Sequence, residues 1–236
     1  MNVSLYLVPT ALGPEINSDL FPPYNLEIIN SLDHFIVENI RTARRSLRPM
    51  GYDKNFDDVT FFELNKHTSR ADKETFIQPL LNGISMGVLS EAGVPAIADP
   101  GAEIVRLAHK NNIKVVPLIG PSSILLALMA SGLNGQNFAF NGYLPVKNPL
   151  RKKAILALEK KSKQENQSQI FMETPYRNQN LLEEILSSCL PDTLLCIATD
   201  ISLETEFILT RKVHQWKKAI PDLHKRPSIF ILQGFE

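Results

Sequence analysis

Glu38, His67, Glu91 and Asp99 are the side chains of this 236-residue chain best placed to move protons. Each stands at the carboxyl end of an apolar run or in the loop just beyond it. Carboxylates and imidazoles in such places can take or share the proton of a weakly acidic hydroxyl. Glu38, which ends the run at 34–38, is the first candidate for that work. Asp99 also has a structural reading, as the N-cap of a helix with Pro100 at its first position. Glu173 and Arg177 read as an ion pair across a helix start.

Loops rich in Gly and Pro surround these groups. Pro9, Thr10, Leu12 and Gly13 follow the first apolar run, and Ser90, Ala92, Gly93 and Val94 follow the run at 84–89. Gly120, Pro121, Ser122 and Ser123 follow the run at 113–116 and open a helix that Gly132 stops. Glycine lets a backbone approach a ligand closely, and free N–H groups at helix starts can bind one. The same residue types also make ordinary strand–helix turns. Arg41, Arg44, Arg45 and Arg48 recur at i, i+3, i+4 and i+7, which puts them on one face of a helix. Such a face is either solvated or turned to phosphate, which the guanidinium fork suits. A second basic run, at 147–163, has Glu159 as its sole acid.

Composition bounds the rest. Hydrophobic residues make up 44% and charged ones 21%, the values of a globular chain long enough for one large or two modest domains. Lys+Arg and Asp+Glu are both 25, so any basic surface is local. The two cysteines, Cys189 and Cys196, lack CxxC spacing and sit among apolar residues, which predicts buried free thiols in a reducing cytoplasm. The five histidines show no metal-ligand spacing, and no metal is expected. The apolar segment at 3–8 is too short for a signal-peptide core, and the run at 124–130 is too short to span a membrane.

The elements that must position these groups alternate. Strands are expected at 2–8, 34–38, 59–64, 84–89 and 113–116, with helices at 25–32, 39–49, 70–82 and from Pro100 onward. That alternation predicts a mainly parallel sheet with helices on both faces. The second half differs, with strands at 137–144, 169–173, 193–199, 205–210 and 228–232. Helices are expected at 148–163, at 175–189 with Thr174 as cap, and at 212–219. Consecutive strands without a helix between them predict antiparallel pairs. With the last strand close to Glu236, no appended RNA-binding segment is expected.

The wording of the loops goes further than their spacing. Ser90-Glu91-Ala92-Gly93-Val94-Pro95, Ala98-Asp99-Pro100-Gly101 and Val116-Pro117-Leu118-Ile119-Gly120-Pro121-Ser122 resemble the tetrapyrrole methylase family. So do Leu5-Tyr6-Leu7-Val8-Pro9-Thr10-Ala11-Leu12-Gly13, Gly142-Tyr143-Leu144-Pro145 and Glu173-Thr174-Pro175-Tyr176-Arg177, so the likeness runs in order through nearly the whole chain. The branch most similar methylates ribose 2′-hydroxyls of small-subunit ribosomal RNA. The resemblance implies a two-domain α/β fold, 1–118 and 119–236, with a mainly parallel N-terminal sheet and a mixed C-terminal sheet. It implies an S-adenosylmethionine-dependent methyltransferase, as a cytoplasmic homodimer, with the cofactor cleft between the domains. It places the cofactor among the three loops, with Asp99 beside them. Glu38, His67 and Glu91 then fall to catalysis, and the Arg stripe to the substrate.

Three departures bear on the substrate. The first loop continues Gly13-Pro14, which removes a donor N–H where the family has Gly-Asn. The family's Glu-Asp-Thr-Arg becomes Glu38-Asn39-Ile40-Arg41, and its Ser-Asp-Ala-Gly becomes Ser90-Glu91-Ala92-Gly93. The alternatives to a ribosomal RNA are a tetrapyrrole or other small acidic metabolite, and a cofactor-binding relative without catalysis.

Overall fold

The structure is a computed structural model that describes residues 3–14, 18–65 and 67–235. The chain divides into two compact units, Met1–Ser122 and Ser123–Glu236, a few residues beyond the expected boundary.

In the first unit, β1 (Ser4–Val8), β2 (His34–Val37), β3 (Thr60–Glu63), β4 (Met86–Leu89) and β5 (Lys114–Pro117) form a parallel sheet in the order β3-β2-β4-β1-β5. Period-2 alternation sends neighbouring side chains to opposite faces. Tyr6, Val8, Phe35 and Val37 pack with Ile28 and Ile29 of α1 (Pro23–Ser31) and Leu47 of α2 (Ile40–Leu47). Leu5, Ile36, Met86 and Val88 pack on the other face against Leu80 of α4 (Gln78–Leu81) and Ile104 and Ala108 of α5 (Gly101–Lys110). The central strand β4 is buried throughout. Its Gly87 leaves room for the Phe35 ring, because a Cβ there would stand 2.7 Å from that ring.

The helices after β1 and β4 therefore lie on opposite faces of the sheet, although the two strands are neighbours. Their carboxyl ends part at that point, the place where open α/β sheets form a crevice.

In the second unit, β6 (Phe138–Tyr143), β7 (Ser168–Met172), β8 (Leu194–Thr199), β9 (Phe207–Lys212) and β10 (Ser228–Gln233) form a mixed sheet in the order β6-β7-β10-β8-β9. Only β6 and β7 pair in parallel; the other neighbours are antiparallel. The helices are α6 (Ser123–Ser131), α7 (Leu150–Glu165), α8 (Asn178–Ser188) and the single turn α9 (Val213–Trp216). The core joins Ile155, Phe171, Leu181, Ile185, Phe230 and Trp216, whose indole N–H donates to the Leu195 carbonyl at 2.9 Å. Among the described residues, no helix is long and apolar enough to cross a membrane, and no group of His, Cys, Asp and Glu could hold a metal.

Several boundaries differ from the sequence reading. The helix expected at 70–82 breaks into α3 (Arg70–Phe76) and α4, because Pro79 lacks the N–H that a continuous helix needs. The helix expected at 212–219 is the single turn α9, since β9 runs on to Lys212. Thr174 is not a cap and Pro175 does not begin α8; the two lie in a turn closed by the Arg177 N–H on the Thr174 carbonyl at 2.8 Å.

Phe35 is fully buried and meets Tyr52 and Phe61 at ring separations of 5.6 and 5.8 Å. Phe35→Ala is expected to cost about 3–5 kcal/mol. Urea unfolding checks this, and a loss below about 1 kcal/mol would mean that the site collapses around the smaller side chain.

Candidate functional site

Two loops at the carboxyl ends of neighbouring strands are hydrogen-bonded to each other. Thr10, after β1, donates its N–H to the Gly93 carbonyl at 2.8 Å, and Gly93, after β4, returns its own N–H to Thr10 at 3.2 Å. The Thr10 hydroxyl donates to the Ser90 carbonyl at 3.2 Å, and the Ser90 hydroxyl donates to the Gly93 carbonyl at 3.0 Å. Gly93 has φ +74°, in the left-handed region that side chains rarely enter. A Cβ there would stand 3.1 Å from Leu12 Cδ2 and 3.4 Å from the Pro121 carbonyl oxygen, so three of the expected loops converge on this glycine. Gly120 is held just as closely, since a Cβ on it would stand 2.3 Å from Pro9 Cγ. The buried Asn25 of α1 donates to the Ile119 carbonyl at 2.7 Å and fixes the third loop.

Sequence spacing does not show these ties. Thr10 and Ser90 are 80 residues apart, and only the parallel pairing of β1 with β4 brings them together. Among the described residues, the backbone N–H groups of Leu12, Ala92 and Val94 have no protein acceptor. Ser122 ends the first unit, and Ser123 begins α6 in the second.

The carboxylates gather beside these loops. Glu38 accepts the Glu91 backbone N–H at 3.3 Å, and the Glu91 carboxylate accepts the Thr42 hydroxyl at 2.5 Å. Asn39 caps α2, its Oδ1 accepting from the Arg41 and Thr42 N–H groups at 3.0 and 3.1 Å. The change from the family's Asp at 39 therefore keeps a good cap. Burial raises the Glu38 carboxyl above its ordinary range, and the charges of Asp99 and Glu91 push the same way. Burial also raises Asp99.

Asp99 differs from its expected place at the helix end. α5 starts at Gly101 and Pro100 is its N-cap, so Asp99 lies one residue before the cap. Its carboxylate still takes the Gly101 N–H at 2.7 Å, and it also takes the Ala96 N–H at 2.8 Å. It thereby closes a loop in which Ala96 and Ala98 both have positive φ, 68° and 63°. His67 is exposed, and its ring makes no hydrogen bond or ion pair among the described residues. The structure therefore joins Glu38 to Glu91 and shows no bond from the His67 ring to either.

The four arginines are all exposed but not alike. Arg48 lies over the Phe56 ring at 4.4 Å and donates to the Tyr52 and Lys54 carbonyls at 2.6 and 3.1 Å. Arg44 lies over Phe56 and Phe61, at 5.6 and 5.3 Å. The side chains of Arg41 and Arg45 have no partner among the described residues. In the second unit, Arg177 donates to the almost fully buried Glu173 carboxylate at 2.5 Å. Burial pushes Glu173 up, but the Arg177 guanidinium and the Thr174 N–H outweigh it and hold the carboxyl below the usual range.

No family profile matches the chain. The protein named ribosomal RNA small subunit methyltransferase I from Vibrio cholerae is 35% identical over 182 residues, 77% of this chain and 59% of that protein. The protein of the same name from Escherichia coli O157:H7 is 30% identical over 233 residues, 98% of this chain and 77% of its own length. Among solved structures, the methyltransferase CobJ superposes with a TM-score of 0.63 at 15% identity, covering 98% of this chain and 93% of that one. Cobalt precorrin-4 methyltransferase, CbiF, gives 0.59 at 13%, over 98% and 94%. At such identities these two structures establish the fold alone, a fold that includes both sheets.

The raised Glu38 carboxyl sets a pH dependence. The folded chain holds this proton more tightly than the unfolded one, so the cost of the buried charge is absent below the ordinary carboxylate range. It grows as pH rises through the raised folded value. Glu38→Gln keeps an acceptor for the Glu91 N–H and removes the charge. Its stability relative to the parent is expected to improve between pH 4 and pH 7 in urea unfolding. A relative loss over that interval would show that the charge is favourably solvated.

Proposed function

Because the chain belongs to the family of ribosomal RNA small subunit methyltransferase I, we propose that it methylates a ribose 2′-hydroxyl of small-subunit ribosomal RNA with S-adenosylmethionine. The observation that carries this reading is the meeting of three loops at Gly93, at the parting of β1 and β4. The donor set fits such a cofactor: a bare Gly93 beside Leu12, with the Leu12, Ala92 and Val94 N–H groups left for an outside acceptor. Ser90 and Thr10 hold that shape, Pro9 packs on Gly120, and Gly13 and Pro121 to Ser123 complete the proposed set.

When bound, the sulfonium cofactor supplies an activated methyl group for in-line displacement. The protein's task is to align the acceptor oxygen and exclude water. A ribose hydroxyl attacks well only as its proton is shared, and Glu38 is the residue proposed to share it. The burial that raises its carboxyl makes it a stronger acceptor than a surface carboxylate. Glu91 orients Glu38 through its backbone N–H and ties the loop to α2 through Thr42. Asp99 keeps its loop closed, and His67 is proposed to act from the β3 side on the RNA.

Arg41 and Arg45, whose side chains have no partner among the described residues, are the residues of the stripe proposed to meet phosphates; Arg44 and Arg48 brace the helix through Phe56. A homodimeric cytoplasmic enzyme is part of the same reading, supported by the family resemblance and by two buried free thiols.

Calorimetry is expected to find about one S-adenosylmethionine per chain, bound without metal. Binding to a small-subunit ribosomal RNA fragment is expected to weaken with salt. Changing Arg41 and Arg45 together to Ala should flatten the log–log slope by roughly 1–1.5 units, from about 0.7 per single-strand phosphate contact, with cofactor affinity unchanged. An unchanged slope would return both arginines to the solvated-face reading. Absence of cofactor binding at millimolar ligand would overturn the function.

A further inference from the structure

α7 carries opposite chemistries on two adjacent stripes. Its buried stripe is Arg151, Ile155, Glu159 and Ser162, at i, i+4, i+8 and i+11. Every polar member has a partner there. Arg151 pairs with Glu184, Glu159 accepts the Leu190 N–H and the Thr193 hydroxyl at 2.8 and 2.5 Å, and the Ser162 hydroxyl accepts the Gly234 N–H at 3.0 Å. One residue further round, with the same spacing, lies an exposed stripe of Lys152, Leu156, Lys160 and Lys163, with Lys153 beside it.

Two of the acids packed beside this stripe are turned inward, and the exposed Glu183, which shares a cavity wall with Lys152, makes no ion pair with it. Glu159 and Glu184 are committed to the core, and the nearest acid on the helix, Glu165, pairs with Lys161 on another side at 3.9 Å. The side chains of Lys152, Lys153, Lys160 and Lys163 make no hydrogen bond or ion pair among the described residues.

Helix stability accounts for only part of this arrangement. Lysines near the end of a helix complement its dipole, as Lys160 and Lys163 do. Lys152 and Lys153 oppose it, because they stand in the first turn, which holds no acid and has no side-chain cap. Two cations placed where the helix disfavours them point to a partner that supplies negative charge.

We infer that this face of α7 is a second phosphate-contacting surface for RNA, reading backbone charge away from the acceptor nucleotide. The inference rests on the RNA substrate proposed above. From Lys152 to Lys163 the face runs about 17 Å, at about 1.5 Å per residue, which spans several successive phosphates. Lysine serves such contacts as a point charge without base specificity. The surroundings favour a nucleic acid over a lipid surface. Lys152 borders an open cavity of about 410 Å³ whose walls include Asn148, Asn180, Glu183 and Ser187, amide, carboxylate and hydroxyl groups that suit sugar hydroxyls and base edges. Leu156 is the only large apolar side chain on the stripe, too little to anchor in a membrane.

The test uses the full chain, small-subunit ribosomal RNA and S-adenosylmethionine. Lys152→Gln, Lys153→Gln, Lys160→Gln and Lys163→Gln are combined in one variant, and the four Lys→Arg changes in another. The Gln variant is expected to keep its cofactor affinity and lose roughly 2–3 units of salt slope, with RNA affinity at 0.15 M salt at least about tenfold weaker. The Arg variant should restore both. If the parent binds RNA with a steep slope and the Gln variant keeps that slope, the inference falls and the substrate reading stands. If the parent does not bind RNA, both fall. Lysine-dependent binding to anionic phospholipid vesicles, with RNA binding unchanged, would also overturn it.

Discussion

A pair of backbone hydrogen bonds between Thr10 and Gly93 fixes everything that follows in the first unit. The strands that lead into these residues run parallel, yet the residues themselves pair in antiparallel fashion, so one chain must reverse relative to the other beyond the strand ends. Gly93 accommodates that reversal with a left-handed φ, and the Ser90 hydroxyl and the Thr10 side chain brace it. Once these groups are spent on each other, the neighbouring N–H groups of Leu12, Ala92 and Val94 remain for an outside acceptor. The bare face of Gly93 is what allows the third loop to close in with the Pro121 carbonyl. A rigid junction made from main chain suits a reaction in which the protein contributes alignment more than a nucleophile.

Electrostatics follows the same division between structure and availability. The formal charge of the chain is +0, but its acids and bases are not distributed alike. In the second unit Glu159, Glu173 and Glu184 are buried and committed to partners, which leaves lysines on the outside of α7. In the first unit Glu38 and Asp99 are part-buried without a cationic partner among the described residues, and both are raised. Neighbouring arginines Arg44 and Arg48 are drawn onto aromatic rings instead. A neutral total thus conceals a local group of basic carboxyls in one unit and an unpaired cationic stripe in the other.

The alternation of strands and helices was legible because a period of 2 and a period of 3.6 leave different apolar patterns. The mixed second sheet was legible from strands that follow one another without a helix. The errors cluster at prolines. Pro100 and Pro175 were read as first helical residues, although one is an N-cap and the other lies in a preceding turn; Pro79 ends a helix that apolar spacing would have continued. Proline fixes φ without saying on which side of a boundary it stands. In the site, the loops and Glu38 with Glu91 were visible in residue types. The Thr10–Gly93 pairing and the Glu91–Thr42 bond were not, since they join positions far apart in sequence through the strand order. The arginine stripe had the right spacing. Its division into two braced and two unpartnered side chains depends on Phe56 and Phe61, which lie outside the helix.

The central claim is methyl transfer to a ribose oxygen of ribosomal RNA, and alkaline hydrolysis tests it most directly. Alkali cleaves RNA through a free 2′-hydroxyl, so a 2′-O-methylated nucleotide stays joined to its 3′ neighbour. Unmethylated small-subunit ribosomal RNA is incubated with the protein and S-adenosylmethionine labelled in its methyl group, then digested with alkali. The account predicts that the label is recovered in alkali-resistant dinucleotides. Label in mononucleotides would place the methyl on a base and contradict it. So would a complete lack of transfer to RNA by protein that methylates a small acidic metabolite under the same conditions.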